Sequence, residues 1–333
     1  MINVGLIGYG RYGKKYYDNL LKNKNFRLIK ILRKSKKKTN DLFTNNKKVF
    51  FKINNIDLYI IASPTSSHYE YLKTALIKNK HIIIEKPLVS NFNEFIKIKK
   101  LIKKSKQIIL INHTDLYIDA YLNLKKIINK IGKIKSVKLV YGKIDPYLIS
   151  NIKNKYKLPH FEWLPHPLAI IIDLFKDQNF EIKLNEKRKI YKKKLYQNLK
   201  ILFTGKKINI EINFSNNFKN RKRNLEIFGT KGGLLYKGYN KKKCFFKKNK
   251  KINYINSSEI DPIKNLLNNF KFKYKNKKFS DDKELIFSTT KYLFEISNIL
   301  KIWNNYFSNF GLGKGEIKEN LLFIFLHFFL ILL

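Results

Sequence analysis

The strongest constraint on the fold lies in the first twenty-two residues. An apolar run at 2–7 (INVGLI) leads into Gly8-Tyr9-Gly10-Arg11-Tyr12-Gly13, and residues 14–22 follow with Tyr17, Leu20 and Leu21 at helical spacing. Strand, tight turn and helix in this order give G-x-G-x-x-G its physical meaning. Gly8 permits the turn, Gly10 lets the backbone approach a pyrophosphate, and Gly13 allows close helix–strand packing. The helix N-terminus then offers free N–H groups to the phosphates. A dinucleotide-binding start is therefore expected.

The pattern continues for about a hundred residues. Apolar runs at 26–32, 49–51, 57–62, 81–84 and 107–112 read as strands, with helices ending near Leu76 and spanning 93–104. Alternating strands and helices imply a doubly wound parallel sheet, α/β in class. Beyond residue 113 the period becomes two, at 135–143, 199–204, 207–214, 225–229 and 233–237, with a hairpin turn at Thr230-Lys231-Gly232-Gly233. Helices return at 262–274 and 281–303. The expected organisation is an NAD(P)-binding domain over 1–113 and an α+β domain on an open, mostly antiparallel sheet over 114–310. An apolar tail with His327 follows over 311–333, too short to span a bilayer comfortably and expected to have no membrane role.

The formal charge of +46 would suit a polyanion partner, but its distribution argues otherwise. Lysines number 64 and arginines six, alanines only four, while Ile, Asn, Phe and Tyr abound, as an A+T-rich coding sequence would produce. The basic residues are spread along the chain, and the guanidinium forks that read bases are scarce. No specific nucleic-acid partner is expected; an anionic small substrate or cofactor is compatible with the charge. The single cysteine, Cys244, excludes an internal disulfide framework and a Cys-based zinc site. Met1 leads directly into a strand with no signal-peptide pattern, and a cytoplasmic setting is expected.

An NAD site usually carries an acid about 20 residues after the glycine loop, to bond the ribose hydroxyls. This chain has Arg33-Lys34-Ser35, cations and a hydroxyl that suit a 2′-phosphate. NADP is therefore favoured over NAD.

Three segments together carry a family resemblance: the glycine loop, Ala62-Ser63-Pro64-Thr65-x-x-His68, and Glu85-Lys86-Pro87. They closely resemble the Gfo/Idh/MocA oxidoreductases, the family of glucose-fructose oxidoreductase and inositol dehydrogenase. The likeness extends by pattern into the second half through Ile131-Gly132-Lys133-Ile134 and Phe228-Gly229-Thr230-Lys231-Gly232.

The resemblance implies hydride transfer between a nicotinamide cofactor and an alcohol of a sugar, cyclitol or nucleotide-sugar. It places Ser63, Pro64, Thr65, His68 and Glu85 with the cofactor, and Lys86 in the cleft as a catalytic lysine holding the reacting oxygen. The family's acid-x-x-x-His signature is met by Glu162-Trp163-Leu164-Pro165-His166, with Glu in place of Asp. His166 is thus the candidate acid/base, titrating near neutrality, and Glu162 the group that orients it or a substrate hydroxyl. Pro165 and Pro167 restrict this stretch to at most the first turn of a helix. Where many relatives carry an arginine–aromatic pair, this chain has Leu116-Tyr117, which leaves the substrate open. Sheets of this family often pair face to face, so a homo-oligomer is expected. His81 reads as structural, His113 and His160 as possible cleft neighbours, and no cluster has metal-ligand spacing. The competing reading is a regulatory or structural protein that binds a dinucleotide without turnover.

Overall fold

A computed structural model describes residues 1–34, 40–148, 158–176, 178–238, 244–248, 251–255, 258, 260–278 and 282–309. Ser35 and the 311–333 tail with His327 lie outside the described residues. Met1–Ile296 form one compact unit that holds both sheets; a second unit, Ser297–Leu333, is described only as far as Asn309.

The first sheet is wholly parallel. Its strands are β1 (Ile2–Ile7), β2 (Phe26–Leu32), β3 (Phe43–Thr44), β4 (Leu58–Ile61), β5 (His81–Glu85) and β6 (Ile109–Asn112), in the order β3-β2-β1-β4-β5-β6. The chain reverses direction of build between β1 and β4, and that switch point is where such sheets open a crevice at their carboxyl edge. Val4, Leu6, Leu58, Ile60 and Ile83 are fully buried, because helices cover both faces. Helices α1 (Arg11–Leu21), α2 (Lys47–Lys52), α3 (His68–Ile77) and α4 (Phe92–Lys104) supply much of that cover.

Residues 49–51, expected as a strand, lie in α2. Asn46 caps that helix, its Oδ1 accepting from Val49 N at 3.2 Å, and Phe50 packs against Tyr59 at 5.6 Å between ring centroids. A side-chain cap outweighed a three-residue apolar run whose β-propensity is weak evidence on its own. The third strand is the two-residue β3 instead.

After α5 (Asp119–Ile127) the second sheet begins. It contains β7 (Ile134–Gly142), β8 (Tyr147–Leu148), β9 (Phe180–Tyr191), β10 (Lys194–Gly205), β11 (Asn209–Ser215), β12 (Lys222–Gly229), β13 (Gly233–Tyr236), β14 (Cys244–Lys248) and β15 (Lys251–Ile255). The order is β15-β14-β13-β12-β7-β11-β10-β8, with β9 also on β10, and every pairing is antiparallel except β7 with β11. Alternation is clean: Leu199, Ile201 and Phe203 are buried while Lys200 points outward beside Glu211 at 3.0 Å. The expected turn joins β12 to β13, closed by Gly229 N to Gly232 O at 2.8 Å. It is tied to the start of β7 by Thr230 N to Lys133 O at 2.9 Å.

Helices α6 (Pro159–Trp163) and α7 (Pro165–Leu174) lie between β8 and β9, and α8 (Pro262–Lys275) and α9 (Lys283–Asn309) follow β15. Helix α8 returns to the first sheet. Its Ile263, Leu266, Leu267 and Phe270 join Ile2, Val4, Leu20 and Phe26 in one core, an assignment that helical periodicity alone did not reveal. Asp261 caps it, accepting from Ile263 N at 2.9 Å. Among the described residues, no helix is long and apolar enough to cross a membrane.

Candidate active site

The glycine loop occupies the carboxyl end of β1, and each glycine has a distinct reason to be one. Gly8 has φ +97°, and a Cβ there would meet the Ala62 carbonyl oxygen at 2.5 Å. A Cβ on Gly13 would strike the Gly8 carbonyl oxygen, so the helix could not approach the strand. Gly10 differs: a Cβ there would have nothing within 4 Å. That open surface adjoins the first turn of α1, whose N-cap Gly10 provides no side-chain cap. The loop therefore offers an open backbone surface at a helix N-terminus, of the kind that receives a pyrophosphate, and the residues fit a dinucleotide.

At the end of β2, Arg33 N donates to Thr44 O at 2.9 Å, and its guanidinium carbon lies 4.4 Å above the Phe43 ring. Tyr9 meets Phe43 edge-on at 5.0 Å. Arg33, Phe43 and Tyr9 thus form one wall beside the glycine loop, with Lys34 exposed next to it.

The Ser63-Pro64-Thr65 turn follows β4, and Ser67 Oγ donates to the Pro64 carbonyl at 2.7 Å. His68 clamps this turn to the end of β5: its Nε2 lies 2.9 Å from the Ser63 carbonyl oxygen and its Nδ1 2.8 Å from that of Pro87. It is buried, and both ring nitrogens face backbone oxygens. His68, expected with the cofactor, here ties the Ser63-Pro64-Thr65 turn to the end of β5. Glu85 is likewise bonded within the protein. Its Oε1 accepts from Tyr16 Oη at 3.0 Å and Asn112 Nδ2 at 2.7 Å, tying α1, β5 and β6 together. Burial pushes its pKa up.

Lys86, with a cis bond to Pro87, leaves the carboxyl end of β5 and reaches the second part of the fold. Its Nζ donates to the Glu162 carbonyl oxygen at 2.6 Å. Burial lowers its pKa from 10.5, while the carboxylates of Glu162 and Glu85 oppose that change.

His166 is the second residue of α7, between Pro165 and Pro167, as the flanking prolines required. Its carboxylate partner is Asp115, not Glu162. His166 Nδ1 lies 3.0 Å from Asp115 Oδ2, while the Glu162 side chain is exposed and the residue enters the site through its carbonyl. Glu162 lies in α6 and His166 in α7, which begins at Pro165. Asp115 also accepts from Arg223 Nη1 at 2.8 Å and from Tyr236 Oη at 3.2 Å. Burial alone would raise its carboxyl, but Arg223 and His166 outweigh that and hold it well below the usual range. Arg223 Nη2 lies 3.4 Å from His166 Nε2. Burial first, and then Arg223, push His166 down to about 3. The imidazole is neutral, which corrects the expectation that it titrates near neutrality.

His113, which follows β6, is also buried and pushed down to about 3, by burial and then by Lys86. Neither of its ring nitrogens nor Asn112 Oδ1 has a hydrogen-bond partner among the described residues. Such atoms cost free energy unless a ligand supplies the missing partner, which again fits a cofactor at this edge. By contrast, His81 Nδ1 accepts from Ile108 N at 3.1 Å, and His160 Nδ1 lies 3.2 Å from Gln197 Oε1. Both have structural contacts. Among the described residues no group of three His, Cys, Asp or Glu could hold a metal.

Asp115, Arg223 and Tyr236 were missed from the sequence, since they come from separate elements. Two signals pointed towards them: the polar run Asn112-His113-Thr114-Asp115 directly after a buried strand, and arginine at a position where this chain nearly always uses lysine.

Comparison with known proteins agrees with this geometry. Residues 2–113 match the oxidoreductase family with an NAD-binding Rossmann fold, GFO_IDH_MocA. "Oxidoreductase P35" of Formosa agariphila is 28% identical over 149 residues, 41% of this chain but only 46% of that protein. UDP-N-acetylglucosamine 3-dehydrogenase of Acidithiobacillus ferrooxidans has the same fold, with TM-score 0.75 at 12% identity over 89% of this chain and 96% of its own. So does the biliverdin reductase of Synechocystis, solved with biliverdin and NADP+, with TM-score 0.69 at 14% identity over 87% and 96%. Through residues 2–113 the chain is similar to the Gfo/Idh/MocA family of oxidoreductases, and its first sheet has the strand order of an NAD-binding Rossmann fold.

Proposed function

We propose that the chain catalyses reversible, NAD(P)-dependent oxidation of a secondary alcohol on a sugar, cyclitol or nucleotide-sugar. The observation that carries this reading is the place of Lys86. It stands at the carboxyl edge of the sheet that holds the glycine loop, and its ammonium reaches the segment bearing His166. An NAD(P) cofactor held by residues 8–13, the Ser63-Pro64-Thr65 turn and the Arg33 wall would supply the hydride acceptor or donor. Lys86 would hold the alcohol oxygen; its neutral amine, the form that burial favours, would take the proton during oxidation, and the ammonium so formed would return it during reduction. A neutral His166, its Nδ1 3.0 Å from Asp115 Oδ2 and its Nε2 facing Arg223, orients substrate and is a weak resting base.

The named dehydrogenase relative supports an alcohol substrate, while biliverdin reductase marks how widely substrates differ on this fold. Arg33 over Phe43, in place of a ribose-binding acid, favours NADP. A cytoplasmic enzyme whose copies pair through the open sheet completes the reading.

The test is a screen of sugars, cyclitols and nucleotide-sugars followed by nicotinamide absorbance, repeated with Lys86→Ala. The reading requires turnover that collapses in the variant while NADP still binds. A protein that binds NADP but turns over none of these compounds is a non-catalytic binder.

A further inference from the structure

Arginine is the rare cation of this chain, six against 64 lysines, so its positions carry information that lysine positions do not. Four of the six belong to the crevice. Arg11 lies in the glycine loop and Arg33 beside it, while Arg221 precedes β12 of the second sheet and Arg223 lies in it. Arg223 is committed to Asp115 and His166. Arg221 is exposed, and its guanidinium carbon lies 5.6 Å from the Trp163 ring centroid, the same distance as that of Arg223. Trp163 directly follows Glu162, whose carbonyl anchors Lys86, and its ring lies 6.4 Å from that of His166. A continuous path therefore runs from the reacting lysine through Trp163 to Arg221. The Tyr12 phenol on the facing helix responds to the same charges: burial and Glu85 raise its pKa, and Arg223, Arg11 and Arg221 oppose them.

Lysine would supply the charge alone. A planar guanidinium held over an indole supplies charge together with paired N–H donors for an oxyanion. We propose that Arg221, laid on Trp163, is a specificity residue that binds a carboxylate or phosphate oxyanion carried by the substrate. Anionic sugars would thereby be selected over neutral ones. This rests on the alcohol-oxidation reading above and narrows its substrate class.

The test measures binding, so that it stands apart from turnover. The full chain with bound NADP and Trp303→Phe retains Trp163 as its one tryptophan, and its fluorescence is titrated with glucose, glucuronate and glucose 6-phosphate at fixed ionic strength. One or both anionic sugars are expected to bind at least tenfold more tightly than glucose, about 1.4 kcal/mol. A response to glucuronate alone identifies a carboxylate site, and to glucose 6-phosphate alone a phosphate site. Arg221→Gln should abolish the preference and Arg221→Lys should weaken it. Lys222→Gln, the neighbouring cation at the start of β12, should leave it intact. Equal binding of glucose, no saturable response to any probe, or a preference that survives Arg221→Gln overturns the proposal. An Arg221-dependent preference without turnover of any compound overturns only the enzymatic reading, and turnover without the preference overturns only the anion site.

Discussion

The two ends of the crevice are built by different means. At the glycine loop the chain's backbone makes the site: Gly8, Gly10 and Gly13 create a turn, an open surface and a close contact within six consecutive residues. At the reacting end side chains make it, drawn from β5, the turn after β6, α7, β12 and β13. A backbone-built site fails by steric collision, whereas a side-chain-built site fails by unbalanced charge.

The sharpest break comes at the loop. Gly13→Ala sets a methyl against the Gly8 carbonyl oxygen, and the helix must shift. We expect loss of NADP binding, with destabilisation of roughly 3 kcal/mol, visible in calorimetric titration and urea unfolding. Lys86→Ala comes next and should act oppositely, cutting kcat by about 10³ while the Kd for NADP stays within twofold. Equal losses in both quantities would show that Lys86 belongs to the cofactor site instead.

Asp115→Asn should cost about 3 kcal/mol in urea unfolding, because it leaves the Arg223 guanidinium buried without its counter-charge. Glu162→Gln should change stability by less than about 0.5 kcal/mol, as expected of an exposed carboxylate. Similar losses in the two variants would remove the distinction between Asp115 and Glu162.

The histidines give a pH signature. His113 and His166 titrate near 3 when folded and near 6.5 when unfolded, so the unfolded chain binds more protons between those values. Their contribution to stability is complete above about pH 6.5 and is lost as pH falls towards 3. Asp115 is also depressed, but its contribution persists until pH falls below about 4. The unfolding free energy should therefore decline from pH 6.5 to 4.5, and His113→Gln should remove about one proton from that slope. The smallest effect concerns cofactor choice: Arg33→Ser should lower the preference for NADP over NAD by about tenfold, roughly 1.4 kcal/mol.

The same contrast explains what the sequence disclosed. The glycine loop, the buried strands and the Lys86-Pro87 turn are local, with spacing and chemistry written in adjacent residues. Strand β2 is found over the expected residues, 26–32. The parallel and mostly antiparallel sheets were likewise legible, since their hydrophobic periods differ. Asp115 was not. It reads as one polar residue after a strand, and its partners at 166, 223 and 236 meet it only through tertiary structure. Glu162 was expected to orient His166 or a substrate hydroxyl because the family's acid-x-x-x-His signature falls on 162–166, and that signature does not say which acid faces the imidazole. His68 and Glu85 carry the family pattern, yet their bonds go to the protein's own groups, and no pattern distinguishes a residue that touches a ligand from one that holds its neighbours.

The return of α8 to the first sheet bears on how the protein is made. When a ribosome has extruded residues 1–113, all six strands of that sheet exist, yet Ile2, Val4 and Phe26 still lack the cover of Ile263, Leu266, Leu267 and Phe270. At ordinary elongation rates that cover emerges roughly ten to thirty seconds later. Until then the nascent nucleotide-binding half is an unfinished layer with an oily face, and its completion is timed by the synthesis of the other half.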